Sequence, residues 1–265
     1  MKFVSLFILS TTLFCSYSSF ASQTQNHLVA TGKSSFVDVA PIYSCLAYQG
    51  CNMTTFRIGE GNRLHIYTDL STREIEENLA RCDLSRVSSA SLDLVDQNNH
   101  DSPIFIPIGS SYVLSTTPEI LSPRSSISIS ELVERLKKEE LLTVGKNDII
   151  NTLGISETGY KVTFAKDKAV GGLTDHVAKT VLISTVYDNG SPYPPIRIID
   201  IVRHEFDHVL QVKISDQCGS QKNTFSDHQR RERAAYLDDL VFYQYMRDSK
   251  WFDKTMSDFN SYLIQ

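Results

Sequence analysis

The chain has 265 residues, 41% of them hydrophobic and 22% charged, with a formal net charge of −5. This is the make-up of an ordinary folded protein, and it excludes collagen-like, low-complexity and intrinsically disordered classes. The acidic balance argues against nucleic acid or an anionic membrane as the main partner.

Residues 1–21 open with Lys2, continue through an apolar run from Phe3 to Phe14 and end on Ser19-Phe20-Ala21. That order is expected of a secretory signal peptide cleaved after Ala21. The run falls short of the about 20 apolar residues that span a bilayer, so no stable membrane anchor is expected once it is removed. The expected location is therefore secreted or periplasmic. Cys15 leaves with the signal, and Cys45, Cys51, Cys82 and Cys218 remain. An even number of cysteines in an oxidising compartment points to two disulfides, for which three pairings exist. Cys45 and Cys51 most simply close a local loop, which would leave Cys82 to pair with Cys218.

Residues 22–60 mix polar and apolar positions around Gly and Ser, and are expected as an irregular N-terminal extension. From there to residue 265 the signals are those of one domain. RLHIYT (63–68) alternates as a half-buried strand should. Ser71 caps a helix over TREIEENLARC, where Ile75, Leu79 and Cys82 recur at helical spacing. SASLDLV and PIFIPIG are expected strands, the second interrupted by its prolines. STTPEILSPRSS is a loop, and ELVERLKKEELL predicts a helix over about 130–142 with a solvated charged face. GYKVTFA and KTVLISTVYD are strands flanking a Gly-rich turn, VGGLTDH. NGSPYPP then ends the second strand and starts a helix.

That helix, predicted over Ile196 to about Lys213, contains His204-Glu205-Phe206-Asp207-His208, the pattern H-E-x-x-H. Two histidines four apart stand one turn apart on the same side and can share a cation. Glu205, beside the first, can reach a metal-held water without being a ligand. An apolar face of Ile198, Val202, Phe206, Val209 and Leu210 presses the helix into a core, where unpaired polar groups are costly. The third ligand is expected on the next helix, predicted from a Ser226/Gln229 capping box to about Arg247. Glu232 is the first choice and His228, one turn earlier, its rival. Ala235, Tyr236 and Asp239 share the Glu232 face, and the small Ala235 would allow close helix packing. No Gly-rich phosphate loop and no G-x-S-x-G turn occurs, so nucleotide binding and serine-hydrolase chemistry find no support.

His204, Glu205 and His208 followed by a helix bearing Glu232 resemble the gluzincin branch of zinc metallopeptidases, over about residues 60–265. The resemblance implies an α+β, zincin-like metallopeptidase fold: a mixed sheet, an active-site helix and a following glutamate helix. It implies Zn2+ held by His204, His208 and Glu232, a peptide or protein substrate, and hydrolysis by a zinc-activated water with Glu205 as general base. Tyr236, His228 and His176 are candidates to stabilise the oxyanion, and Asp239 to orient a zinc histidine. KTVLISTVYD would accept the substrate backbone as an added strand. The chain departs from the family where Tyr236 stands four residues after Glu232, a place often held by an acid. Two other readings remain at this level: a non-catalytic exported binding protein on the same fold, and a zinc amidase acting on cell-wall material.

Overall fold

The computed structural model describes residues 26–82, 84, 87, 89–95, 104–105, 158–166, 171–219 and 223–263. The expected signal peptide, the helix over 130–142 and the loop before it lie outside them, as does all of PIFIPIG except Ile104–Phe105. Five strands form one sheet in the order β2-β3-β1-β4-β5, with every pairing antiparallel. They are β1 (Asn26–Gly32), β2 (Thr54–Ile58), β3 (Arg63–Thr68), β4 (Ser89–Val95) and β5 (Ile104–Phe105). A second, mixed sheet has the order β6-β8-β7. Here β8 (Thr180–Ser184) runs parallel to β6 (Lys161–Ala165) and antiparallel to β7 (Gly172–Asp175). Among the described residues five α-helices accompany the sheets: α1 (Ala40–Ala47), α2 (Thr72–Leu79), α3 (Pro195–Cys218), α4 (His228–Met246) and α5 (Ser249–Ser261). The architecture is α+β.

Local chemistry explains most of these boundaries. Ser71 and Glu74 form the expected capping box at α2, satisfying donors that the first turn leaves unpaired. Pro195 begins α3, where its missing N–H matters least. The helix continues to Cys218, a turn beyond its expected end. Asp227 caps α4, its side chain accepting from Arg230 N at 2.9 Å. The helix therefore starts one residue later than the expected Ser226/Gln229 box, with Asp227 as its cap.

The expectation of an irregular segment over residues 22–60 is corrected from Asn26 onward. β1 is the central strand of the large sheet, between β3 and β4, and alternates Leu28 and Ala30 inward. Ser35 and Asp38 cap a short 3-10 helix, Phe36–Val39, that leads into α1. The alternation in NHLVATG is short and flanked by glycine and serine, and only its two paired neighbours make it a strand.

Two cores result. One lies between the five-stranded sheet and α1, α2, α4 and α5, and includes Leu28, Leu64, Ile66, Leu46, Leu237 and Phe259. The other joins β8 to α3, with Val181, Ile183, Ile198, Val202 and Phe206, and reaches Phe242, Tyr243 and Trp251. Each such buried side chain stabilises the fold by about 1.5–3 kcal/mol. Helix α4 contributes to both cores, so it is held from two sides. Ala234 and Ala235 are fully buried on it, and its small residues let α3 lie close, as the sequence suggested.

The disulfides join Cys45 to Cys82 (Cα–Cα 5.8 Å) and Cys51 to Cys218 (Cα–Cα 5.2 Å). The expected Cys45–Cys51 loop and Cys82–Cys218 tie are both incorrect. Cys45 lies inside α1 and is buried beside the end of α2, whereas Cys51 sits beyond the helix at the surface. The second bridge fastens the end of α3 to the turn after α1. Beside it, Thr224 N donates to Asn52 O at 2.8 Å and Thr54 N donates to Thr224 Oγ1 at 2.8 Å. The N-terminal region thus anchors the connection that sets where α4 begins.

Candidate metal centre

Helices α3 and α4 bring His204, His208 and Glu232 together, with one donor atom from each all within 4.8 Å of one another. His204 Nε2 lies 3.5 Å from Glu232 Oε2, and His208 Nε2 lies 3.1 Å from Glu232 Oε1. A tetrahedral zinc with bonds of 2.0–2.1 Å sets its donors about 3.4 Å apart. The three groups fit such an ion in donor type, and the two contacts to Glu232 match that spacing.

Second partners aim the imidazoles. His204 Nδ1 lies 2.8 Å from Asp239 Oδ2 and donates to it, which turns Nε2 toward Glu232. His208 Nδ1 is 2.9 Å from Gln211 Oε1. The Gln211 amide nitrogen donates to Tyr48 Oη at 2.8 Å and to Arg231 O at 3.1 Å, which leaves its oxygen to accept from His208. Both rings thus present Nε2 to the same point.

The electrostatics favour a cation there. Burial opposes charge on His204, but Asp239, Glu232 and Glu205 outweigh it and hold its pKa well above the ordinary value. Burial likewise disfavours the Glu232 carboxylate, yet hydrogen bonds from His204 and His208 hold its pKa well below the usual range. Deeper in α3, Asp200 pairs with Arg197. Burial first, and then the charge of Asp239, push the Asp200 carboxyl up.

Glu205 is buried beside this cluster, under β7. Thr174 Oγ1 lies 2.7 Å from Glu205 Oε2 and 3.1 Å from its backbone oxygen, and donates to this pair of acceptors. A Cβ on Gly172 would fall 2.6 Å from Glu205 Cγ and 2.7 Å from Cδ, so only glycine leaves room for the carboxylate here. The expected Gly-rich turn is therefore a strand, and it packs on the helix of the two histidines. Its pairing with β8 across His176–Lys179 is the hairpin spacing that could have revealed it.

A cavity of about 470 Å³ opens over the cluster, lined by residues of β7, α3 and α4. All three candidate oxyanion stabilisers border it. Tyr236 packs edge-on against the His204 ring, with centroids 4.8 Å apart. His228 Nδ1 lies 3.5 Å from Glu232 Oε1, but its side chain is 69% exposed, against 12% for Glu232. His176 follows β7 directly, with Nδ1 3.2 Å from Tyr160 Oη. Sequence reasoning missed Gly172, Thr174, Gln211 and Arg231. Gln211 stands three residues after His208 on one helix face, a spacing that could have flagged it. Arg231 carries no such signal.

The strand KTVLISTVYD cannot accept a peptide through its β8 portion, because β6 and β7 occupy both of its edges. Among the described residues β7 is paired on one side only, and it is the strand that borders the cavity. No family model matches the chain, and neither a curated protein nor a solved structure shows significant similarity to it. Among the described residues no helix is long and apolar enough to cross a membrane.

Proposed function

We propose that the chain is an exported zinc-dependent peptidase of the gluzincin type, with a zincin-like arrangement of its helices and small sheet. The observation that carries this reading is the convergence of His204 Nε2, His208 Nε2 and the Glu232 carboxylate beside a separate buried carboxylate, Glu205. A zinc held there would polarise a substrate carbonyl and lower the pKa of a water in its fourth position.

The remaining chemistry belongs to the chain. Glu205 takes a proton from the attacking water and returns it to the leaving nitrogen. Thr174 and Gly172 hold that carboxylate in place, an alignment on which proton transfer depends. Tyr236, His228 and His176 line the space where the oxyanion develops and can donate hydrogen bonds to it. An extended peptide fits as a strand added to the edge of β7 that is unpaired among the described residues, which brings its backbone over Glu205. Two disulfides support a location outside a reducing compartment, in keeping with cleavage of the leader after Ala21. A protein that only held the metal would have no use for Glu205 at this place.

Elemental analysis of the purified chain tests the reading, with a peptide library cleaved by wild type and not by Glu205→Gln. The expected result is about one zinc per chain in wild type and in His228→Ala, and none in Glu232→Ala. Absence of zinc in wild type after reconstitution overturns it. Metal without cleavage of any peptide overturns the peptidase assignment alone.

A further inference from the structure

Among the described residues, most charged groups around the cavity are held by a partner side chain. Arg197 is paired with Asp200. Asp239 holds His204, and Glu232 sits between His204 and His208. Glu205 is held by Thr174 next to this cluster. Of the two arginines that line the cavity, Arg231 forms no ion pair among the described residues, although its neighbour Arg230 pairs with Asp227. Its backbone oxygen is tied to Gln211, which fixes where the side chain starts.

Arg231 borders the cavity together with His176 and His228. Its charge is felt at His176, whose pKa is lowered by burial first and then by Arg231 and His208. Asp175 and Asp216 act on His176 in the opposite sense without reversing the shift. Arg231 is thus the group that brings positive charge to this side of the cavity. A half-buried arginine that lines a cavity, with no ion-pair partner among the described residues, is matched by a planar anion that it can bind through two hydrogen bonds.

We infer that Arg231, with His176 beside it, is a specificity site for a carboxylate on the substrate, close to the bond that is cut. This deepens the peptidase reading and rests on it for the bond cleaved, though not for the binding. The placement follows from β7. Thr174 marks the position of Glu205, and His176 lies two residues further along, about 6–7 Å at the rise of a strand. The recognised carboxylate thus belongs to a residue one or two places from the scissile bond. It comes either from an acidic side chain or from the free C-terminus of the peptide.

Calorimetric titration of the full chain as Glu205→Gln, reconstituted with zinc, separates these sources. The probes are three N-acetylated alanine-based peptides of equal length: one with a C-terminal amide, one with a free C-terminus, and one amidated with a single aspartate. At least one carboxylate peptide is expected to bind 10-fold or more tightly than the neutral amide. That margin is expected to vanish in Arg231→Gln and to return in part in Arg231→Lys. A preference for the free C-terminus assigns the site to a terminal carboxylate, and a preference for aspartate assigns it to a side chain. Equal binding of all three peptides, no binding of any, or a preference that survives Arg231→Gln overturns the inference. A carboxylate preference in a protein whose wild type cleaves no peptide keeps the site and removes the peptidase reading.

Discussion

Asp239 accepts a hydrogen bond from His204 Nδ1 at 2.8 Å and stands on the same face of α4 as Glu232. One helix therefore supplies a candidate ligand and also the group that orients a ligand on the helix opposite. Tyr236, four residues after Glu232, packs on the same ring. Asp239→Ala is expected to weaken zinc binding by about 10–100-fold without loss of the fold. Chelator competition measures this, and Asp239→Asn should fall between wild type and alanine. Unchanged affinity in the alanine variant would mean that Asp239 has no part in orienting His204.

Gly172 and Thr174 act on Glu205 and not on the ligands. Gly172→Ala must push the carboxylate away, and displacement of a catalytic group by about 1 Å can lower a rate about 100-fold. Zinc content should stay at the wild-type level while peptide hydrolysis falls by about that factor. Thr174→Val removes the donor to Oε2 and is expected to lose activity in the same sense, with Thr174→Ser retaining it. Loss of zinc in these variants would show that β7 supports the whole cluster.

The Cys51–Cys218 bridge closes a loop with a sequence separation of 167. Its removal should lower stability by about 4–5 kcal/mol on the chain-entropy account. It also frees the connection that places α4. Cys51→Ser/Cys218→Ser is therefore expected to lower both the melting temperature and zinc affinity, the latter because Glu232 loses its fixed start. Cys45→Ala/Cys82→Ala should lower the melting temperature with a smaller effect on zinc.

Asp38 provides a pH-dependent link between the N-terminal region and α4. Burial works against its charge, but the Ser34 and Ser35 backbone N–H groups, the Ser34 hydroxyl and the Gln244 amide hold its pKa below the usual carboxylate value. A pKa depressed in the folded state means stability that is present above the unfolded value near 4 and lost as pH falls through the folded value. Asp38→Asn should lower the melting temperature at neutral pH, and the difference from wild type should shrink below about pH 4. A constant difference across that range would show that the effect is packing and not ionisation.

What the sequence determined by itself was local. Ser71 with Glu74, the proline before α3, the four-residue spacing of His204 and His208, and the common face of Glu232 and Asp239 all follow from helix geometry within a few turns. The strand RLHIYT follows from alternation, and KTVLIST from a short apolar run between polar residues. Contacts between distant segments were decided only by the tertiary structure. The cysteine partners depended on α1 directing Cys45 inward while Cys51 lies beyond its end. β1 gained its central place from two neighbours far along the chain, and Gly172–Asp175 became a cavity wall because β8 pairs with it above α3. Thr174 reaches Glu205 for the same reason. Helical periodicity places residues along one axis, whereas these relationships depend on how two axes and a sheet edge are set against each other by packing.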